Sequence, residues 1–307
     1  MLENNQILNI INNNYSMNSN NLEFVRDSGC IAYNVYADGC KYFLRITKPP
    51  FYDTASKSLD IHLFLQKHGF AVPQIIFTKD GFPCVQVSDK EGNYFYILYE
   101  FIEGKEVDPE KDAEILGAFI GKLHSVMKGY PGELIKNDKY YYIDRYINIM
   151  KAKGYGRINE FIAYGEALWK KVNNLPRGYC HGDMYSGNIM KTSDGRLYLL
   201  DFDTSSEGFP MYDLALICNL TDFFKFEEDG YIKSKNVYEH FLPEYLKYNS
   251  LSNAEIESFY DLIALYHFTL QATIIELYGL DCVDNDFLDS QLKWLYKWQE
   301  QCDQNKE

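Results

Sequence analysis

Between Leu22 and Phe101 apolar and polar positions alternate with the two-residue period of half-buried strands. The runs LEFVRD, AYNVYAD and KYFLRIT are rich in β-branched and aromatic residues, and Asp27-Ser28-Gly29 and Asp38-Gly39 divide them. Asp-Gly between two such runs is a strong hairpin signal, because the tight turn needs positive φ. From Ser56 to His68 the spacing becomes helical, with Leu59, Ile61, Leu63 and Phe64 apolar and Gly69 and Pro73 as stop signals. Strand character returns in QIIFTKD, PCVQVSD and NYFYILYEF, with turns at Asp80-Gly81 and Glu91-Gly92-Asn93. The pattern predicts about five strands with one helix after the third. A short opening helix carries Ile7, Leu8, Ile10 and Ile11.

Strand alternation stops at Phe101. IEGKEVDPE is a polar connector in which Asp108 reads as a helix N-cap and Pro109 as the first helical position. The core helix AEILGAFIGKLHSVMKG follows, and helical spacing returns in KYYYIDRYINIMKAK, RINEFIAYGEALWKKV, SNAEIESFYDLIALYHFTLQATIIELYGL and DNDFLDSQLKWLYKWQEQ. The expected class is α+β: residues 1–101 an antiparallel five-stranded sheet with a helix, 102–108 a linker, and 109–307 a larger, mainly helical lobe.

Composition adds limits. The 307 residues are 46% hydrophobic and 24% charged, as globular chains are, and the formal net charge is −14. That charge repels phosphate backbones and anionic lipid, so neither nucleic acid nor a membrane surface is an expected partner, whereas a cationic small molecule is attracted. Solvated surface acidity is the plainer explanation of the same number. The seven cysteines are scattered without a C-x-x-C pair, and no apolar run reaches the length of a membrane span. A reduced, cytoplasmic protein is expected.

The chemistry-bearing stretch runs from Tyr179 to Ala215. His181-Gly182-Asp183 is followed by Asn188, then by NIM and RLYLL around Thr192-Ser193-Asp194-Gly195, then by Asp201 and Asp203. A hairpin there folds Asn188 back beside Asp201, an amide oxygen and a carboxylate for one hard cation, with Asp183 left to face an incoming hydroxyl. Phosphoryl transfer asks for little else: metal held by oxygen ligands and an acceptor held in line. A lone His-Gly-Asp is ordinarily a surface turn; its union with the hairpin and D-x-D is the specific signal.

HGDMYSGN…LLDFD…YDLA resembles the aminoglycoside phosphotransferase and choline kinase superfamily, whose small-molecule kinases share the protein-kinase-like fold. The offsets match the kinase H-R-D-x-x-x-x-N and D-F-G motifs, with Gly182 for Arg and Asp203 for Gly. The resemblance implies that Asp183 is the catalytic base, that Asn188 and Asp201 bind Mg2+ with Asp203 assisting, and that His181 and Asp213 support the catalytic loop. It further implies that Arg45 stands for the phosphate-binding lysine, with Asp60 as its carboxylate partner or, if the family's glutamate aligns with Ser58, with none. Gly29 would turn over the phosphates, although an ordinary hairpin turn accounts for it equally well. Glu100, Phe101 and Ile102 would form the segment that binds the base of ATP or GTP. The acceptor would meet helices carrying Tyr266, His267 and Glu276. Those aromatic and acidic groups suit an amine or amino alcohol, aminoglycoside-, choline- or homoserine-like, and equally suit packing. A metal-dependent phosphohydrolase and a silent nucleotide-binding module are the rival readings. The first leaves Arg45 unused, and the second is at odds with the presence of Asp183 and Asp201.

Overall fold

The computed structural model describes residues 3–305. By spatial contacts the chain divides into two units, Met1–Glu106 with Gly187–Asp203, and Val107–Ser186 with Thr204–Glu307.

The first unit opens with α1 (Asn4–Asn14), followed by β1 (Ser19–Ser28), β2 (Cys30–Ala37), β3 (Cys40–Thr47), α2 (Tyr52–Lys67), β4 (Val85–Asp89) and β5 (Gly92–Glu100). The strands form one antiparallel sheet in the order β1-β2-β3-β5-β4, with α2 after the third strand as the sequence pattern requires. Alternation assigns the faces. Leu44 and Ile46 pack with Ile31, Tyr33 and Leu98 under Ile7, Ile11 and Tyr15 from the α1 side. Phe95 and Ile97 pack with Ala55 and Leu59 of α2 on the other face. Arg45, paired with Ile97 across the strands, therefore points to the α2 face.

Two local expectations change. QIIFTKD is not a sheet strand: β4 takes the first half of the β5 edge, from Asp89↔Gly92 to Val85↔Tyr96. The second half receives only Ile76 N–H to Leu98 O at 2.8 Å and Glu100 N–H to Gln74 O at 2.9 Å. One edge cannot carry two full strands. The helix α2 starts at Tyr52 rather than Ser56, because the 3-10 turn Pro49–Phe51 presets its entry.

The chain leaves this unit after β6 (Gly104–Glu106) and enters α3 (Pro109–Met127), where the Asp108 carboxylate accepts the Glu110 N–H at 3.2 Å. Then come β7 (Ile135–Lys136), a π-helical turn at Tyr140–Asp144, α4 (Arg145–Lys153), α5 (Ile158–Val172) and β8 (Gly178–Cys180). The hairpin of β9 (Ile189–Thr192) and β10 (Leu197–Leu199) belongs to the first unit because β9 pairs with β6. The division of the chain is thus not a single cut at the 102–108 connector. The remaining elements are β11 (Ser206–Gly208), α6 (Pro210–Cys218), α7 (Gly230–Tyr245), α8 (Asn253–Glu257), α9 (Phe259–Tyr278) and α10 (Asn285–Gln304). Among the described residues no helix is long and apolar enough to cross a membrane.

In the second unit α3 and α7 approach through glycine. A Cβ at Gly117 would lie 2.2 Å from the Phe241 carbonyl oxygen, which forbids any side chain without separating the helices. We predict that Gly117→Ala lowers stability by about 1–3 kcal/mol despite its better helix propensity, measurable by chemical denaturation. A neutral or stabilising result would mean that the two helices are not held this close.

Candidate active site

The candidate residues fall in both units and are described unit by unit. In the first, the β9–β10 hairpin sets the backbone: Leu200 N–H donates to Asn188 O at 2.9 Å, so Asn188 and Asp201 flank one rung. Leu199 N–H donates to Ala71 O at 3.1 Å and fixes the strand end. Asp201 follows with φ +56°, a left-handed conformation that costs a non-glycine residue free energy and is held by its surroundings. Those surroundings are visible at Phe202, buried and edge-on to the His62 ring at 5.5 Å. His62 itself donates Nε2–H to Pro73 O at 2.6 Å, and burial, with a contribution from the Arg45 charge, pushes its pKa down to about 4. Anchoring Phe202 inward leaves Asp201 and Asp203 partly exposed on either side.

Both carboxylates meet Arg45. Its guanidinium pairs directly with Asp203 and lies 3.6 Å from Asp201. Burial opposes its charge, but Asp203 and then Asp201 outweigh burial and raise its pKa above the ordinary value. Arg26 Nη2 lies 3.9 Å from the other Asp201 oxygen. Gly29, at φ +66°, makes the β1–β2 turn, which the Lys48–Asp27 ion pair ties to the end of β3. At the far end of the sheet, Glu100 closes β5 and its carboxylate accepts Gln74 N–H at 2.9 Å. Phe101 carries Lys41 Nζ over its ring at 3.9 Å, and Ile102 precedes β6.

Among the described residues no three His, Cys, Asp or Glu groups cluster as a ready cage. Two carboxylates and one amide, however, are what Mg2+ requires when water and phosphate oxygens complete its octahedron. Asp203 Oδ1 is buried without a hydrogen-bond partner among the described residues, a lone pair left for a cation. The residues fit Mg2+.

In the second unit one carboxylate organises the loop. Asp213, wholly buried in the first turn of α6, accepts His181 N–H at 2.7 Å, Gly182 N–H at 2.9 Å, the Cys180 thiol at 3.1 Å and His124 Nε2–H at 3.0 Å. Burial works against its charge, yet His124, His181 and the Gly182 amide overcome it and hold the carboxyl below its usual range. Thr204 Oγ1 donates to His181 O at 2.8 Å from the opposite side. Gly182 has φ +82°, and a Cβ there would lie 2.6 Å from Thr204 O, so neither conformation nor space admits the arginine of H-R-D. Asp183 follows, its N–H 3.4 Å from His181 Nδ1. Its charge reaches the phenols of Tyr266 and Tyr141, whose pKa values burial has already raised. Phe223 stands edge-on to Tyr266 at 5.1 Å.

A family model for phosphotransferase enzymes matches residues 25–249. The chain belongs to the phosphotransferase enzyme family. The resemblance drawn from HGD…LLDFD is thereby borne out. An uncharacterised protein of Deinococcus radiodurans is 23% identical over 224 residues, 68% of this chain and 64% of that protein; the chain thus spans just under two thirds of this relative. Among solved structures, amicoumacin kinase hAmiN in complex with AMP-PNP, Ca2+ and Ami aligns at TM-score 0.76 and 18% identity, covering 98% of this chain and 94% of that one. A microcompartment-associated aminopropanol kinase aligns at 0.75 and 16%, covering 98% and 97%. At such identities the likeness is one of fold, and it bears out the α+β, kinase-like class.

Three residues of this family member sit where the sequence reading did not expect. Asp60 is exposed on α2, whose buried residues at this level are Ser58, Leu59, Ile61 and His62; the carboxylates opposite Arg45 are Asp203 and Asp201. His267 is enclosed in the core, stacked on Trp294 at 4.6 Å, its pKa pushed down to about 3 by burial, because one helical step turns it away from Tyr266. Glu276 is engaged by Arg145 Nη1 at 3.2 Å and ties α9 to α4. The reading missed Arg26, His62 and His124. Helical spacing was an available cue: His62 falls three residues after Leu59 on α2 and His124 four after Ile120 on α3, each on a buried face.

Acid sensitivity follows. The unfolded chain takes up protons at histidines near pH 6.5. His62 and His267 refuse them until about 4 and about 3 in the fold, so the unfolded state binds more protons and stability falls as pH drops from about 6.5. Asp213, depressed, adds a loss in the same direction as pH falls through its folded pKa. Unfolding free energy should decline by about 3 kcal/mol between pH 6.5 and 4 from His62 alone. Denaturation across that range checks it, and His62→Gln should make the slope shallower. Asp213→Ala, stranding two buried amides and a ring N–H, should cost at least about 3 kcal/mol. A wild-type thermal midpoint for Asp213→Ala would contradict the bracing role.

Proposed function

We propose that this chain is a Mg2+-dependent kinase that transfers the γ-phosphate of ATP or GTP to the hydroxyl of a small, amine-bearing acceptor. The observation that carries the reading is the ion-paired triad of Arg45, Asp201 and Asp203, which sets a prospective phosphate-binding cation against two prospective metal ligands inside one hairpin-and-sheet unit. A phosphohydrolase of simple esters would leave the five-stranded unit that carries this guanidinium without a nucleotide to bind. Asn188, Asp201 and Asp203 would hold Mg2+, which when bound neutralises charge on the transferring phosphoryl group. Arg45 grips the phosphates nearer the nucleoside, bidentately as guanidinium can. The Gly29 turn covers them, and the backbone from Glu100 to Ile102 receives the base.

Asp183 orients the acceptor hydroxyl and takes its proton as the oxygen attacks phosphorus. His181 and Asp213 keep the loop in place through main-chain contacts and do not touch the reacting atoms. An amine is favoured because Tyr266 and Tyr141 sit within the field of Asp183, offering aromatic surface beside a negative charge. The aminopropanol kinase of similar fold, named for an amino alcohol, supports that class, and AMP-PNP on the amicoumacin kinase supports a nucleoside triphosphate donor. Of the acceptor-side residues first singled out, Tyr266 is retained. The −14 net charge would draw such a cation in.

The test is nucleotide consumption by the purified protein with Mg2+ against a panel of amino alcohols and aminoglycosides. Asp183→Ala and Asp201→Ala should each reduce product formation by about 100-fold or more. Product formation by both variants at the wild-type rate would refute the assignment, and phosphate release from simple esters without nucleotide would point to the hydrolase instead.

A further inference from the structure

Arg26 has no part in the motifs, yet the sheet takes trouble to aim it. Along β1 and β2 the register runs Glu23↔Asn34, Phe24↔Tyr33 and then Arg26↔Ala32, so Val25 is an inserted bulge residue. Without the insertion Arg26 would oppose Ile31 and share the α1 face on which Ile31 and Tyr33 are packed. With it, Arg26 opposes Ala32, and Ala32 opposes Arg45 on β3. Directly opposed residues share a face, so two guanidiniums stand in one row with only a methyl group between them.

Both reach the same carboxylate, Asp201, at 3.9 Å from Arg26 and 3.6 Å from Arg45. The Arg26 contact exceeds hydrogen-bonding distance and its side chain is 51% exposed, so it adds little to stability. Asp203 is taken up by Arg45, and Asp201, the carboxylate shared by the two cations of this row, lies beyond hydrogen-bonding distance of both. A polyphosphate matches both.

We propose that Arg26 is a second phosphate-binding residue of the donor site, gripping the polyphosphate from the glycine turn while Arg45 grips it from the sheet. The inference rests on the kinase reading. In the nucleotide complex Asp201 is committed to the metal, and the guanidinium of Arg26 is released to non-bridging oxygens of the terminal phosphates. Arg45, two strands further into the sheet, holds those nearer the nucleoside.

The experiment is equilibrium binding of ATP, ADP and AMP with Mg2+, without acceptor, to the full chain and its Arg26→Ala, Arg26→Lys and Arg45→Ala variants. Arg26→Ala should weaken ATP about tenfold or more, ADP less and AMP not at all, with Arg26→Lys between. Arg26→Ala binding ATP within about twofold of wild type, or losing ATP and AMP equally, would overturn the role of Arg26 while leaving the kinase reading intact. Wild-type protein binding none of the three nucleotides would overturn both.

Discussion

A carboxylate sealed from water is costly unless donors surround it, and Asp213 meets that condition with two backbone amides, a thiol and an imidazole. Everything in the loop from Cys180 to Asp183 depends on this arrangement. Backbone N–H groups cannot be satisfied there by neighbouring strands, since β8 ends at Cys180. The buried charge supplies the acceptors that regular structure does not, and fixes the peptide planes that precede Asp183. His124, reaching in from α3 with Tyr245 at its other nitrogen, carries the constraint into the helical core.

In the other unit the same problem has the opposite sign. There the buried group is a cation, Arg45, and the anions are Asp201 and Asp203. Each unit therefore keeps a buried charge whose partners lie within that unit. The surplus of carboxylates across the sequence makes anions plentiful, so the scarce component is the guanidinium, and under the proposed function its position on β3 would decide where phosphate is held.

Much of this was legible from residue order. The strand runs 22–47 and 92–100, the N-cap at Asp108 and the hairpin after Asn188 all announce themselves through period and turn chemistry. Asn188, Asp201 and Asp203 were readable because a hairpin converts sequence spacing into proximity. Other features leave no such mark. A single inserted residue at Val25 alters no hydrophobic pattern, though it turns Arg26 to another face. Tyr266 and His267 are adjacent on α9, which is apolar on most sides, so periodicity could not say which of them looks inward. Asp60 was chosen for its charge, whereas burial on α2 was settled by its apolar neighbours.

The separation of Asp60 from Arg45 bears on control. In protein kinases the ion pair between the strand lysine and a helix glutamate doubles as a switch, since moving that helix breaks it. Here the counter-ions of Arg45 sit at the end of a hairpin, and α2 is held by a neutral hydrogen bond from His62 to Pro73 and by the Phe202 ring against His62. Displacing α2 would loosen Phe202 between the two aspartates, so the helix bears on the pair through packing and not through a carboxylate of its own. The strand arginine thus finds its counter-ions on the hairpin and not on the helix, and under the proposed function the metal and the phosphates would compete for those same charges.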